Sequence, residues 1–451
     1  MSFFKAYDMR GTYGVDFDLD TVYKIGLALP QRLAARNWLI GRDCRETSPL
    51  MRDALVSGLV AAGCKVTDIG LVTTPMVYHF TAEDGYDASV MITASHNPPS
   101  DNGMKVSKAG ALPVGYADGL ADVEKMISGP DFAKGSSRPS SAPAVETKDV
   151  LARYIEWQKA RVWPGEYSLL RFAVDCSNGM ASLFAHEMFP GAVVINDTLD
   201  GTFPCHAPNP LKAEAREQLA KTVRENGLDC GVIFDGDADR AMFVDERGEF
   251  IQPDYLIPIV FSAMPDIGIE KRVVLHDVRT SRGAIERLTA MHAHPFMVPV
   301  GHAFAKPAMR EHSAICGGEL AGHYYFSDFH NCDSGLLAAT RVLKVFANAK
   351  REGLKVSRLM LPISAPWANS GERNFKVEDK DAAIERVLEC AAKLARETSR
   401  STIDGVRLEF DEGWINVRKS NTEPYLRLIV ECDSKARLDD WLAQLEGAIG
   451  I

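Results

Sequence analysis

At 451 residues, with 46% hydrophobic and 25% charged residues, the chain has the composition of a globular protein too long for one core. Its net charge of −10, with no long run of Lys or Arg, excludes the basic face that a nucleic-acid partner would demand. No apolar stretch approaches the roughly 20 residues that span a bilayer, so no membrane partner is expected. Nine cysteines, an odd number without C-x-x-C, and no signal-peptide start point to reduced thiols and a cytoplasmic location.

In chain order, residues 6–14 read as a short polar turn carrying Tyr7 and Arg10. Residues 21–36 read as a helix with basic residues at its end, and Trp38, Leu39 and Ile40 as a strand. Ser48 before Pro49 predicts a helix with a serine cap. Its apolar face of Met51, Ala54, Leu55, Leu59 and Ala62 runs on to Gly63. Strands follow at 65–70 and 88–93, the second leading into Thr93, Ala94, Ser95, His96, Asn97 and Pro98. A serine is thus held at the mouth of a strand, where open α/β sheets place their chemistry. Ser95 and His96 are no hydrolase dyad, since neighbours on an extended chain point apart, and G-x-S-x-G is missing.

The order strand, Asp, small polar turn, helix recurs at 171–179 and 272–281. In each copy a later strand runs into an unusual loop, at 90–96, 232–237 and 314–319. Strands alternating with helices predict three related α/β domains with mixed sheets, their third-strand loops converging. Residues 128–144, rich in Ser, Pro, Ala and Gly, read as a linker, followed by a helix at 150–162. From about 368, strands at 374–377, 405–410, 414–417 and 425–430 with helices at 380–398 and 436–447 predict a small α+β domain. The expected boundaries are 1–145, 146–250, 251–366 and 367–451.

Three further loops carry chemistry. Asp235, Asp237 and Asp239 alternate between two apolar strands, and like charges this close repel unless a cation binds them. Hard oxygen donors suit Mg²⁺. Glu246 stands where a calcium loop would place its twelfth ligand, but Arg240 stands where such a loop needs glycine; a solvated acidic turn is the plain alternative. Glu319 and His323, in a Gly-rich stretch, offer a carboxylate able to accept two adjacent sugar hydroxyls, although a structural turn would read the same. Arg418, Ser420, Asn421 and Thr422 make a phosphate cradle or an ordinary polar hairpin. Dinucleotide and P-loop glycine motifs are absent.

Together, 93–98, 235–240, 318–323 and 418–424 resemble the phosphoserine, metal, sugar and phosphate loops of the α-D-phosphohexomutase family, in that order. Tyr7 to Gly11 and Asn102 to Lys105 extend the resemblance over nearly the whole chain. It implies four domains around a central cleft, and a Ser95 that is phosphorylated and passes its phosphoryl group to a hexose phosphate. A hexose 1,6-bisphosphate then turns round and returns the other group. By the same resemblance, Mg²⁺ sits on Asp235, Asp237, Asp239 and a Ser95 phosphate oxygen. Arg240 holds the reacting region, and Arg418, Ser420, Asn421 and Thr422 the distal phosphate. Glu319 and His323 take O3 and O4 of the sugar. Tyr7, Arg279 and Ala321 fall at substrate-contacting positions, and Arg10, Lys105 and His302 near proton transfer.

Two departures stand out: Ala321 replaces a usual serine, and Arg279 a usual lysine of different reach. The run from Gly317 to Phe326, and Ala238 in the metal loop, look most like the bacterial branch acting on mannose phosphates. Interconversion of mannose 1- and 6-phosphate is therefore expected, with glucose phosphates as alternative substrates, in a monomer or homodimer. The competing readings are a phosphosugar-binding protein that has lost activity and a metal-dependent phosphatase.

Overall fold

The computed structural model describes residues 3–129, 132, 137–265, 272–420 and 425–450. It divides into two compact units, residues 1–251 with 321–356, and residues 252–320 with 357–451. Mixed sheets flanked by helices recur through it, as the sequence predicts.

The first unit opens with β1 (Met9–Thr12), α1 (Leu19–Leu33), β2 (Asn37–Arg42), α2 (Ser48–Ala61), β3 (Lys65–Leu71), α3 (Thr74–Glu83), β4 (Ala88–Ile92) and β5 (Asp101–Lys108). β2 runs parallel to β3 and β4, while β5 lies antiparallel to β4 and to β1. The expected turn at 6–14 is thus partly an edge strand, with Arg10 opposite Gly103. Ile25 and Leu29 of α1, Leu55 and Leu59 of α2, and Trp38, Ile40 and Val90 of the strands share one buried core. The predicted serine cap is displaced by one residue. Thr47 occupies the cap position without a side-chain capping bond, and Ser48 instead donates its hydroxyl to Asp43 Oδ1 at 2.5 Å.

A second sheet holds β6 (Phe172–Asp175), β7 (Val193–Ile195), β8 (Cys230–Phe234) and β9 (Ala241–Asp245). β6 lies between β7 and β8, parallel to both, and β9 returns antiparallel to β8. The helix Gly335–Arg351 belongs to this unit and packs Phe346 edge-on to Phe243 of β9, with ring centroids 5.9 Å apart.

In the second unit, Val273–Asp277 lies between His294–Val298 and Cys316–Gly318, parallel to both. Its C-terminal part is an antiparallel sheet whose core is shared by the helices Lys380–Leu394 and Lys435–Ile449. The predicted helix at 380–398 ends early, because Glu397–Ser401 forms an edge strand against Val406–Phe410. Among the described residues, no helix is long and apolar enough to cross a membrane.

Candidate active site

β4 and β8 end on the two loops that the sequence singles out, at the carboxyl ends of parallel strands. Ser95 is fully buried, and its φ of +51° lies in the left-handed region, which costs a non-glycine residue about 1–2 kcal/mol. The surroundings enforce it. Its amide donates to Thr93 Oγ1 at 2.9 Å. The buried Arg45 guanidinium donates to the carbonyls of Ser95 and Asn97 at 2.8 and 2.7 Å, and of Pro98 and Asp101 at 2.6 and 2.8 Å. One cation therefore binds four carbonyls between the end of β4 and the start of β5, and Asp43 fixes it with an ion pair of 3.2 Å. Arg10 braces the same loop, donating to Asp8 at 2.8 Å and to Asn97 Oδ1 at 3.3 Å.

The Ser95 hydroxyl donates to Asp235 Oδ2 at 2.9 Å. Gly236 permits this approach, since a Cβ there would lie 2.5 Å from the Ser95 carbonyl oxygen. Asp235, Asp237 and Asp239 are all buried, with one oxygen of each within 4.8 Å of the others. Lys105 reaches from β5 to Asp237 Oδ2 at 2.7 Å and Asp239 Oδ2 at 2.6 Å. Thr74, at the start of α3, donates its hydroxyl to Asp237 Oδ2 at 2.5 Å.

Burial, and then the neighbouring Asp239 and Asp237, push the Asp235 carboxyl well above the usual range. Burial opposes the Lys105 ammonium, but Asp237 and Asp239 outweigh it and raise its pKa above the ordinary value. Asp237 Oδ1 and Asp239 Oδ1 are buried oxygens that accept no hydrogen bond. Three buried carboxylates crowded together, two of them with an oxygen left over, fit a hard divalent cation.

Arg240 links this cluster to two imidazoles. Its Nε donates to His323 Nε2 at 3.0 Å, and an Nη lies 2.9 Å from His96 Nδ1. His323 in turn holds Asp333 through Nδ1 at 2.7 Å. Desolvation, and then the charge of Arg240, hold the His96 imidazole well below its ordinary pKa. His96 Nδ1 lies 3.4 Å from the Ser95 hydroxyl. The first unit thus gathers Ser95, Arg10, Lys105, Asp235, Asp237, Asp239, Arg240 and His323. Tyr7 lies on the bend before β1, partly exposed, and Ala321 is partly exposed at the start of 321–356.

A second constellation lies within the second unit. Glu372 Oε1 accepts from Arg418 at 2.8 Å and from Arg279 at 3.5 Å, and Oε2 from Arg427 at 3.0 Å. Burial opposes the Glu372 carboxylate, but Arg279, Arg418 and Arg427 outweigh it and hold its pKa down to about 2. Arg279 also grips Asp277 Oδ2 at 2.6 Å and lies 3.8 Å from Glu319 Oε2. Gly301, just before His302, donates its amide to Glu319 at 3.1 Å. Ser420 donates its amide to the Tyr425 carbonyl at 2.9 Å, while Asn421 and Thr422 lie outside the described residues.

Arg45, Thr74, Asp333 and Glu372 take part in these networks without any signal in the sequence. Each is an ordinary polar residue, and for Arg45, Thr74 and Glu372 the side-chain hydrogen-bond partners lie 46 to 163 residues away. The C-terminal sheet places Glu372 beside Arg418, and no local spacing encodes that.

Four family descriptions match in order. Phosphoglucomutase/phosphomannomutase alpha/beta/alpha domains I, II and III match residues 1–133, 153–248 and 252–362, and the C-terminal domain residues 372–448. The chain belongs to the phosphoglucomutase/phosphomannomutase family. The resemblance read from the loops is borne out, and the protein is an isomerase of the phosphohexomutase class. A phosphomannomutase of Salmonella montevideo is 36% identical over 446 residues, 95% of this chain and 94% of that protein. A phosphomannomutase/phosphoglucomutase of Pseudomonas aeruginosa is 33% identical over 452 residues, 97% of this chain and 93% of its own. The crystal structure of a family protein from Burkholderia thailandensis superposes with a TM-score of 0.83 at 29% identity, covering 99% and 98% of the two chains.

Proposed function

We propose that this protein is a phosphomannomutase, interconverting mannose 1-phosphate and mannose 6-phosphate through a phosphorylated Ser95 and a hexose 1,6-bisphosphate, with glucose phosphates as second substrates. The observation that carries the reading is the Ser95 hydroxyl, 2.9 Å from a buried trio of aspartates and backed by Lys105 and Arg240. Phosphoryl transfer demands mainly positioning and charge neutralisation, and these residues supply both. Asp235, Asp237 and Asp239, with a Ser95 phosphate oxygen, would hold Mg²⁺, which when bound neutralises charge on the transferring group.

In the forward half, the Ser95 phosphoryl group passes to the free sugar hydroxyl, the Ser95 oxygen is the leaving group, and in net the hydroxyl's proton ends on that oxygen. In the second half the bisphosphate presents its other phosphoryl group, and Ser95 Oγ takes it. Lys105, an ammonium at neutral pH that pairs with Asp237 and Asp239, is assigned the role of an acid and charge partner. Arg10 holds the Ser95 loop through Asn97. In the second unit, His302 is the remaining candidate for proton transfer, and Glu319 is assigned to sugar hydroxyls. Arg279, Arg418, Ser420, Asn421 and Thr422 are assigned to the substrate's phosphate, with Tyr7, Ala321 and His323 as further contacts.

The test is ³¹P NMR with Mg²⁺, a trace of hexose 1,6-bisphosphate, and equal amounts of mannose 1-phosphate and glucose 1-phosphate. Faster appearance of mannose 6-phosphate is expected, and equal conversion would make the enzyme a dual mutase. Inorganic phosphate without isomer would indicate a phosphatase. Ser95→Ala should abolish turnover while circular dichroism stays unchanged; normal turnover by the folded variant would sink the mechanism.

A further inference from the structure

A second group of ligand-type side chains converges in the first unit, apart from the aspartate trio. His79 and Glu83 stand one helical turn apart on α3 and share a face. His330, 251 positions beyond His79, comes from the loop between the strands Tyr324–Phe326 and Cys332–Asp333. His79 Nδ1 lies 3.1 Å from His330 Nε2, and His330 Nε2 lies 3.9 Å from Glu83 Oε2. All three ligand atoms fall within 4.8 Å of one another.

Tetrahedral zinc, with bonds of about 2.0–2.1 Å to nitrogen and oxygen, sets its ligand atoms about 3.3 Å apart. The observed triangle closes on such an ion through small ring shifts and one adjustment of Glu83, whose side chain is 49% exposed. A hydrogen bond between two neutral imidazoles would by itself explain the 3.1 Å contact. It would not call for the carboxylate that completes the triangle.

The setting suits a resident ion. His79 is buried among Phe80, Trp157, Tyr154 and Phe329, whose ring centroids lie 4.8, 4.8, 5.8 and 6.0 Å from its own. A metal takes the neutral imidazole, and burial in this apolar shell favours that form at His79. His330 and Asn331 both adopt left-handed backbone, φ +54° and +58°, a turn that sets the His330 ring toward α3. Two imidazoles and one carboxylate favour a borderline cation over Mg²⁺, which prefers oxygen alone.

We propose that His79, Glu83 and His330 form a second metal site, for a divalent cation of the Zn²⁺ class, that pins α3 to the loop leading into Asp333. Asp333 holds His323, and His323 holds Arg240, so an ion here stiffens the support of the reacting centre from behind.

Co²⁺ serves as the probe, added to full-length protein saturated with Mg²⁺ to occupy the aspartate trio. One equivalent should give the visible absorption of a tetrahedral complex, displaced by Zn²⁺, and Zn²⁺ should raise the melting temperature. Glu83→Gln, at an exposed position that leaves folding intact, and His330→Gln should weaken Co²⁺ binding at least tenfold. Asp333→Asn, in the neighbouring Asp239, His323 and Asp333 group, should keep the band. Absence of a saturable band below millimolar Co²⁺, or a band that survives in both variants, overturns the proposal.

Discussion

Arg45 sets the position of the Ser95 oxygen more than any residue that would touch substrate. Its two terminal nitrogens satisfy four carbonyls of the Ser95 loop, and lysine has neither the fork nor the donors to do the same. Arg45→Lys should destabilise the protein by about 3 kcal/mol, since charge-assisted bonds are lost, the one to the buried Ser95 carbonyl among them. It should also cut kcat far more than it raises KM, as steady-state kinetics beside urea denaturation would reveal; unchanged kcat would contradict the role. At this scale the sequence was legible where chemistry is dense. Ser95 after a strand and three alternating aspartates announce themselves, and both lie where the reading puts them. Arg45 does not, because an arginine in a short turn gains meaning only from carbonyls about 50 residues away. His96 was set aside as a partner of Ser95 on the ground that neighbours diverge along an extended chain. The left-handed φ of Ser95 breaks that premise and leaves the two side chains 3.4 Å apart.

Between elements, the decisive feature is how closely the loops after β4 and β8 approach. Gly236 is the spacer, and a methyl group there would meet the Ser95 carbonyl oxygen at 2.5 Å. Gly236→Ala should therefore part the hydroxyl from the carboxylates. A misplacement of about 1 Å costs on the order of a hundredfold in rate, so kcat should fall by about that factor with only a modest loss of melting temperature. Wild-type kcat in this variant would show that the spacing is not critical. Element boundaries were less legible than element types. The predicted helix at 380–398 overshot because Ala395, Arg396 and Glu397, just past its end, are good helix formers. The edge strand Glu397–Ser401 carries no apolar residue to mark it, and only its pairing with Val406–Phe410 defines it. α3 escaped notice for a different reason: nearly all of it is buried, so it lacks the polar face that betrays a surface helix.

For the molecule as a whole, stability in acid should depend on Glu372. Its folded pKa is about 2, against an ordinary glutamate value of 4.5. A depressed acid stabilises the native state fully above the unfolded pKa and loses that contribution as pH falls toward the folded one. Between pH 5 and pH 3 the wild type should lose stability more steeply than Glu372→Gln, which has no proton to take up there. Urea titrations across that window measure the difference, and equal slopes would remove Glu372 from the account. The domain series was legible because strand, turn and helix recur along the chain. The grouping into two units was not, since it depends on which residues pack rather than on composition. That grouping has a consequence for synthesis. The first unit is interrupted by residues 252–320 and closes only with residues 321–356. A growing polypeptide that has left the ribosome as far as residue 251 already carries Ser95 and the aspartates, yet it lacks His323 and Asp333, which prop Arg240. Co-translational folding therefore cannot finish the reacting half before most of the message has been read, and a product truncated ahead of residue 333 would carry the nucleophile without its support.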